Sequence, residues 1–462
     1  MAKPGKEPKN TDYEATSGER FTYVLFYFGQ LIFYIIIVEF IQLFFTDIGI
    51  AAAVVGVILI VTRAWDAIND PIFGVIVDKA KLKRGKYVPW IRIATFLIPV
   101  TTILIFCIPA GLALSTKIAL AAVTYVLWSM SYTICDVPIY ALPTAMTTKV
   151  KERNNLYINS KLTAFLGGLL ATISIPLLYP VIGWPITIII LGVLAFIVMM
   201  PLSFKAKERF HDKSEKSPSL KTLFSYLVHN KYLFVYHGAL LLVALSNTAS
   251  PVQVYVAIHC LGDPSYLSII GLTAAVPMIL AVFVAKGLIN RTDKVFIAIS
   301  CMAGSMLFGV VMYFVGYSSL PALLALIAVR AFFGAMSVVL VAMFTADCAE
   351  YGNYKTGKRA QGVTFAIQTF TAKMTGALSG SVCMFLLGIL GFVAGEGVVQ
   401  SAATISSIWV LYTLVPLATG VFAILLLAFG YKLRQKDVAV MIQVNKGELT
   451  REEAAALMSR QY

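Results

Sequence analysis

Long apolar stretches dominate this chain and recur at nearly even intervals. Twelve are long enough to cross a bilayer, which takes about 20 apolar residues. They fall near 20–47, 50–77, 88–112, 117–146, 157–181, 184–204, 231–260, 265–289, 294–316, 320–346, 361–392 and 402–431. A segment in hydrocarbon must satisfy its own backbone hydrogen bonds, so each is expected to be a helix. The most polar interior segment, 205–230, separates six spans from six. The pattern predicts an all-α membrane protein with twelve transmembrane helices in two six-helix bundles. Its parts are an N-terminal bundle at 1–204, a cytoplasmic middle loop at 205–230, a C-terminal bundle at 231–433 and a cytoplasmic tail at 434–462. Within the middle loop, Ser-Pro-Ser at 217–219 opens a short amphipathic stretch with Leu220, Leu223, Phe224 and Leu227 on one side.

Composition removes the alternatives. Of 462 residues, 59% are hydrophobic and 13% charged, too little polar surface to cover a soluble body of that size. The net charge of +14 suits nucleic acid until its placement is considered. Lys and Arg crowd alternate loops, at 79–86, 149–153, 205–221, 291–294, 355–359 and 432–436, while the opposite loops hold only Lys117. That is the positive-inside asymmetry. It predicts a multi-pass protein of the cytoplasmic membrane with both termini cytoplasmic, touching anionic membrane lipids and binding no nucleic acid. The first 20 residues are polar, so span 1 rather than a cleavable signal directs insertion. The cysteines at 107, 135, 260, 301, 348 and 383 have neither metal-ligand nor hairpin spacing and are expected to be thiols. No His pair, nucleophile–base grouping or phosphate loop stands out, so neither an enzyme nor a cofactor is expected. A monomer is expected.

Polar residues inside the spans carry the chemistry. Asp66 and Asp70 lie four apart on one face of span 2, with Asn69 beside them and Arg63 a turn before. An ionised acid at mid-bilayer costs roughly 2.5–3.5 kcal/mol, so it persists with a partner or a job. The group makes an oxygen cage for a hard cation or a pair sharing a proton. Both readings describe the coupling-ion site of a secondary transporter. In span 4, Trp128, Tyr132, Asp136 and Tyr140 form a stripe suited to a sugar, with rings for its C–H face and a carboxylate for its hydroxyls. Asp136 alternatively neutralises Lys161 of span 5. Lys161 and, in span 11, Lys373 either bind an anionic sugar, sense the ion site or act as counter-charges. Span 1 sets Gln30 among Tyr23, Tyr27 and Tyr34 on one face, for substrate or for packing. Glu39 is expected to pair with Arg63, and for Arg330 no partner is identifiable. Asp78 with the basic run around Arg84, and Asp347 and Glu350 with Arg359, read as gating salt bridges, in competition with plain positive-inside charge.

The halves retain traces of repetition. KLTAFLGG from Lys161 and KMTGALSG from Lys373 match at a displacement of 212 residues, as expected of parallel six-span repeats. The same displacement lays Asp66 and Asp70 on Met278 and Val282, so the acid pair has no counterpart in the second half.

WDAINDPIFG followed by RGKYVPW, then SYTICDVPIYAL, ADCAEYGNYKTG and IQTFTAK, resembles the glycoside–pentoside–hexuronide:cation symporters, the melibiose-carrier family. The resemblance implies a major facilitator fold and sugar symport with Na⁺, H⁺ or Li⁺. It implies a cation site at Asp66, Asn69, Asp70 and Thr133, and a sugar site at Asp136, Tyr140, Lys161, Thr369 and Lys373 plus span 1. Melibiose-type members have an aspartate at Leu31, an arginine at Lys161 and tryptophans at Tyr140 and Val338. These departures count against an α-galactoside and leave room for an acidic sugar. The expectation is a symporter driven by Na⁺ or H⁺, taking up a glycoside, pentoside or hexuronide by alternating access. Its rivals are a lysolipid symporter of the same fold and a sugar sensor that moves nothing.

Overall fold

The computed structural model describes residues 13–80, 82, 85–210, 226, 228–289, 291–357 and 361–460. The amphipathic stretch expected at 217–227 lies outside them, apart from Tyr226. Among the described residues the structure is helical and without strands, and twelve helices are long and apolar enough to cross a membrane. They follow the hydropathy pattern closely. Span 5 starts at Lys151 rather than near 157 because its first turns are polar but still helical, and span 3 ends at Phe106 rather than near 112.

The chain divides into two compact units. Unit 1 comprises Met1–Ile48 and Ala64–Ser217, and unit 2 comprises Gly49–Arg63 and Pro218–Tyr462. Unit 1 holds α1 (Ser17–Asp47), the larger part of α2 (Ala52–Lys79), α3 (Val88–Phe106), α4 (Leu114–Met146), α5 (Val150–Ile182), α6 (Trp184–Met199) and the short α7 (Leu202–Lys205). Helix α1 starts where Thr16 and Glu19 form a capping box, each satisfying a backbone amide of the other. It then runs between α5 and α6 on glycines. A Cβ on Gly29 would come within 2.6 Å of the Ala195 carbonyl oxygen, and one on Gly167 would collide with the Phe28 carbonyl. These close approaches fix which face of α1 is turned to α4.

The start of α3 has no side-chain cap of its own. Its orphan amides are met from far along the chain: the Glu208 carboxylate accepts from the N–H groups of Lys86, Tyr87 and Val88 at 2.6–2.8 Å. Gly85, at φ +113°, leaves room for that carboxylate. Next to it, Arg209 binds the Glu19 carboxylate at 2.8 Å, and its backbone amide donates to Ala145. The segment after α7 thus ties together one end of unit 1.

Unit 2 holds α8 (Lys231–Ser246), α9 (Ala249–Tyr255), α10 (Tyr266–Ile289), α11 (Lys294–Val315), α12 (Leu320–Thr356), α13 (Gln361–Ile389), α14 (Ala402–Thr413) and α15 (Val415–Leu425). Spans 7 and 12 are each broken, between α8 and α9 and between α14 and α15. Pro416 has no N–H to offer the carbonyl four residues back. Arg330 fills the gap: its Nη1 donates to the Tyr412 carbonyl oxygen at 2.9 Å, with the guanidinium 5.6 Å from that residue's ring. The neighbouring Leu411 carbonyl accepts from the Thr248 hydroxyl, and Ser246 donates to the Pro416 carbonyl at 3.2 Å. Side chains at the break in one span therefore serve carbonyls at the break in the other. The tail folds back on this unit as α16 (Gln435–Lys446) and α17 (Arg451–Leu457), burying Val438 and Met441.

Candidate functional site

Two acids survive inside α2 because α4 offers them hydroxyls. Ser129 and Thr133 are four apart on α4, as Asp66 and Asp70 are on α2, so the two pairs meet rung by rung. The Ser129 hydroxyl donates to Asp66 Oδ1, and the Thr133 hydroxyl donates to Asp70 Oδ1 at 2.8 Å. Asn69 is buried on α2, and among the described residues its amide has no hydrogen-bond partner. The result is a ladder of two carboxylates, two hydroxyls and an amide. Each hydroxyl can turn to offer a lone pair instead of a proton. Hard oxygen donors of this kind suit Na⁺, Li⁺ or a proton. Among the described residues no group of three or more His, Cys, Asp or Glu is placed to hold a metal ion. The ladder completes its oxygen set with neutral groups. Sequence reasoning named Asp66, Asn69, Asp70 and Thr133 but missed Ser129. The available signal was its position one turn before Thr133.

The aromatic and polar stripe on α4 faces α1 and α5. Asp136 Oδ1 accepts from Gln30 Nε2 at 3.2 Å, and the other amide atom, Gln30 Oε1, is buried without a partner among the described residues. A buried acceptor left unmatched is an unusual feature and a natural place for an incoming hydroxyl. Tyr34 and Tyr132 bring their ring centroids to 5.6 Å, and Trp128 stacks on Tyr132 at 5.0 Å. Trp128 itself is buried, and its indole N–H is spent on Thr102 of α3. Its part is to back the Tyr132 ring. Tyr23 and Tyr27 bond to one another at 3.2 Å, and Tyr27 meets the Tyr140 ring edge-on.

Lys161 is where the alternative pairing fails. Its ammonium donates to Tyr140 Oη at 3.3 Å and lies 5.2 Å from that ring, with no carboxylate partner among the described residues. Asp136 has Gln30 as its neighbour instead. Glu39 likewise differs from expectation: it accepts from Thr172 of α5 at 2.8 Å and has no ion pair among the described residues. Helix α5 reaches it because Gly168 allows α1 to lie close.

Thr369 and Lys373 lie in α13 of unit 2. The Thr369 hydroxyl is turned back to the Phe365 carbonyl, and Lys373 is half-buried. Of the residues expected to gate, Asp347 forms a salt bridge with Lys294 at 2.5 Å, and Glu350 accepts from Asn445 of α16 at 2.8 Å. Arg84, Arg359 and the side chain of Asp78 lie outside the described residues.

Comparison with known proteins agrees in both fold and class. A family model described as MFS/sugar transport protein matches residues 23–435. The isoprimeverose transporter of Lactiplantibacillus pentosus is 28% identical, over 97% of this chain and 96% of its own. The glucuronide carrier protein homolog of Escherichia coli K12 is 26% identical, over 87% and 90%. The putative glycoside/cation symporter YagG of the same organism is 24% identical, over 89% and 91%. Among solved structures, the nucleoside transporter NupG matches with a TM-score of 0.63 at 13% identity, over 89% of this chain and 99% of that one, a likeness of fold alone.

Proposed function

The chain belongs to the MFS/sugar transport protein family, and on that premise we propose that it is a symporter of the cytoplasmic membrane that couples Na⁺ or H⁺ entry to uptake of a glycoside, pentoside or hexuronide. Relatives of this class are multi-pass membrane transporters rather than enzymes. The observation that carries the proposal is the ladder between α2 and α4, with Asp66 opposite Ser129 and Asp70 opposite Thr133. Two acids set opposite two hydroxyls inside a span gather oxygen donors that suit a small cation. A monovalent cation is the ligand that such a set of oxygens fits. The positive-inside loops support an orientation with both termini cytoplasmic.

Coupling follows from the two faces of α4. Ser129 and Thr133 look to the cation, while Tyr132, Asp136 and Tyr140 look to the sugar, within one or two turns of the same helix. A cation drawn into the ladder repositions α4 and so completes the sugar face. By linkage, sugar tightens cation binding by the factor that cation tightens sugar binding. The unmatched Gln30 Oε1, the Asp136 carboxylate and the ammonium of Lys161 form the polar part of the sugar site, and Tyr34 and Tyr132 its apolar wall. A lysine without a carboxylate partner favours a sugar that carries its own acid, a hexuronide before a neutral glycoside. So polar a stripe disfavours a lysolipid cargo.

The test is uptake into proteoliposomes under an imposed Na⁺ or H⁺ gradient, with acidic and neutral glycosides compared. Wild type accumulates sugar uphill, and Asp70→Asn does not. Uphill uptake retained by that variant overturns the coupling assignment.

A further inference from the structure

We infer that the groove between the first turns of α1 and α5 binds the head group of an anionic phospholipid. A cavity of about 470 Å³ opens there, walled by Tyr13, Ser17 and Arg20 on one side and Asn155 and Asn159 on the other. The Arg20 guanidinium donates to Ser17 Oγ at 3.1 Å and stacks 3.7 Å above the Tyr13 ring. Both partners are neutral, and among the described residues Arg20 has no ion pair. The side-chain amides of Asn155 and Asn159 have no hydrogen-bond partner among the described residues either. One cation and two amide donors thus line a cavity that the described residues leave open. That is the donor set a phosphodiester takes.

Depth points the same way. Helix α5 has 33 residues, about 50 Å at 1.5 Å per residue, against a hydrocarbon core of about 30 Å. Counting about 20 residues back from its far end at Ile182 places the core at about 163–182. Asn155 and Asn159 then stand in the head-group layer rather than in hydrocarbon, where unmatched amides would be costly. Further along α5 toward the core, Leu162 is 62% exposed and Leu166 50%, apolar surface fitted to acyl chains running away from the head group.

Charge decides the class of lipid. The acid in the cavity wall is Glu152, only 1% exposed, and its carboxylate is occupied by the amides of Glu14 and Ala15 and the Thr147 hydroxyl. The accessible charge is therefore that of Arg20, and it selects an anionic head group. The groove is separate from the sugar site, because Asn159 and Lys161 are two residues apart and so on nearly opposite sides of α5. The inference rests on the transport reading only for which leaflet supplies the lipid, the cytoplasmic one in the proposed orientation.

The experiment is native mass spectrometry of delipidated full-length protein with dioleoyl phosphatidylglycerol or dioleoyl phosphatidylcholine added in equal amounts. Inorganic phosphate alone serves as the third arm. Wild type is expected to retain phosphatidylglycerol about tenfold more than phosphatidylcholine, the worth of one charge-assisted hydrogen bond. Arg20→Gln and Asn159→Leu are expected to erase the preference, and Lys207→Gln to keep it. Because the readout is lipid and not transport, a folded but inactive variant remains informative. Equal retention of the two lipids, a preference that survives Arg20→Gln, or phosphate displacing the lipid at equal concentration overturns the proposal.

Discussion

Unit 1 and unit 2 each place charge inside a membrane span, and they handle it in opposite ways. In unit 2, Arg330 donates to a carbonyl that Pro416 has orphaned and stacks on the ring of the same residue. That charge has a permanent partner, and its work is structural. In unit 1, Asp66 and Asp70 accept from the hydroxyls of Ser129 and Thr133, side chains whose oxygens can also coordinate an ion. Each hydroxyl can turn from donating a proton to offering a lone pair, so these contacts are exchangeable where the Arg330 contact is fixed. The lesson is that an intramembrane charge reads as functional when it meets side-chain oxygens that an ion could share, and as architectural when it mends a broken backbone.

That contrast is open to attack by mutation. Removing charge from the ladder carries the largest expected effect. Asp66→Asn or Asp70→Asn lowers cation-driven accumulation of sugar by about a hundredfold, the upper range of a coupling free energy, while the protein purifies and melts as wild type. A variant that loses its fold along with its uptake would move the acids to the architectural side.

Arg330 should behave in the reverse manner. Arg330→Met lowers stability by about 1–3 kcal/mol through the unmatched Tyr412 carbonyl, measured by thermal unfolding in detergent, and leaves the cation dependence of uptake unchanged. The companion change, Pro416→Ala, restores an N–H to that carbonyl. The double variant Arg330→Met with Pro416→Ala is therefore expected to recover most of the lost stability. Full additivity of the two single changes would show that the carbonyl is not what links them.

Smaller effects separate the rungs. Ser129→Ala and Thr133→Ala each raise the cation concentration for half-maximal uptake by about tenfold, the worth of one hydrogen bond to a charged group, without abolishing uphill transport. Equal shifts mean that both rungs face the ion; an effect confined to Thr133 would reduce Ser129 to a packing residue. Least of all, Lys161→Gln is expected to cut the preference for acidic over neutral glycosides by about fivefold, read from competition for uptake, with little change in the cation response.

Much of this was legible in the sequence because membranes make polar residues conspicuous. Asp66 and Asp70 stand out from their apolar span, and hydropathy outlines all twelve helices. Ser129 was invisible for the same reason: a serine in a span is ordinary, and only the structure shows which carboxylate it meets. Arg330 offered no partner on paper because its partner is a backbone atom, exposed by a proline 86 positions later in the chain. The expected Glu39–Arg63 pair gave way to Thr172, which close α1–α5 packing brings near. Trp128 falls on the right face for a sugar by spacing alone, yet Thr102 claims its N–H and burial hides its ring. Spacing tells which residues share a face, and packing decides what that face meets.

Direct measurement of cation binding bears hardest on the central claim. Wild type and the double variant Asp66→Asn, Asp70→Asn are titrated with Na⁺ in a calorimeter, with and without a transported sugar, and proton exchange is followed with a pH indicator. The account predicts that wild type binds the cation, more tightly when sugar is present, and that the double variant binds none while keeping its fold. Undiminished, sugar-stimulated cation binding by the double variant would contradict it.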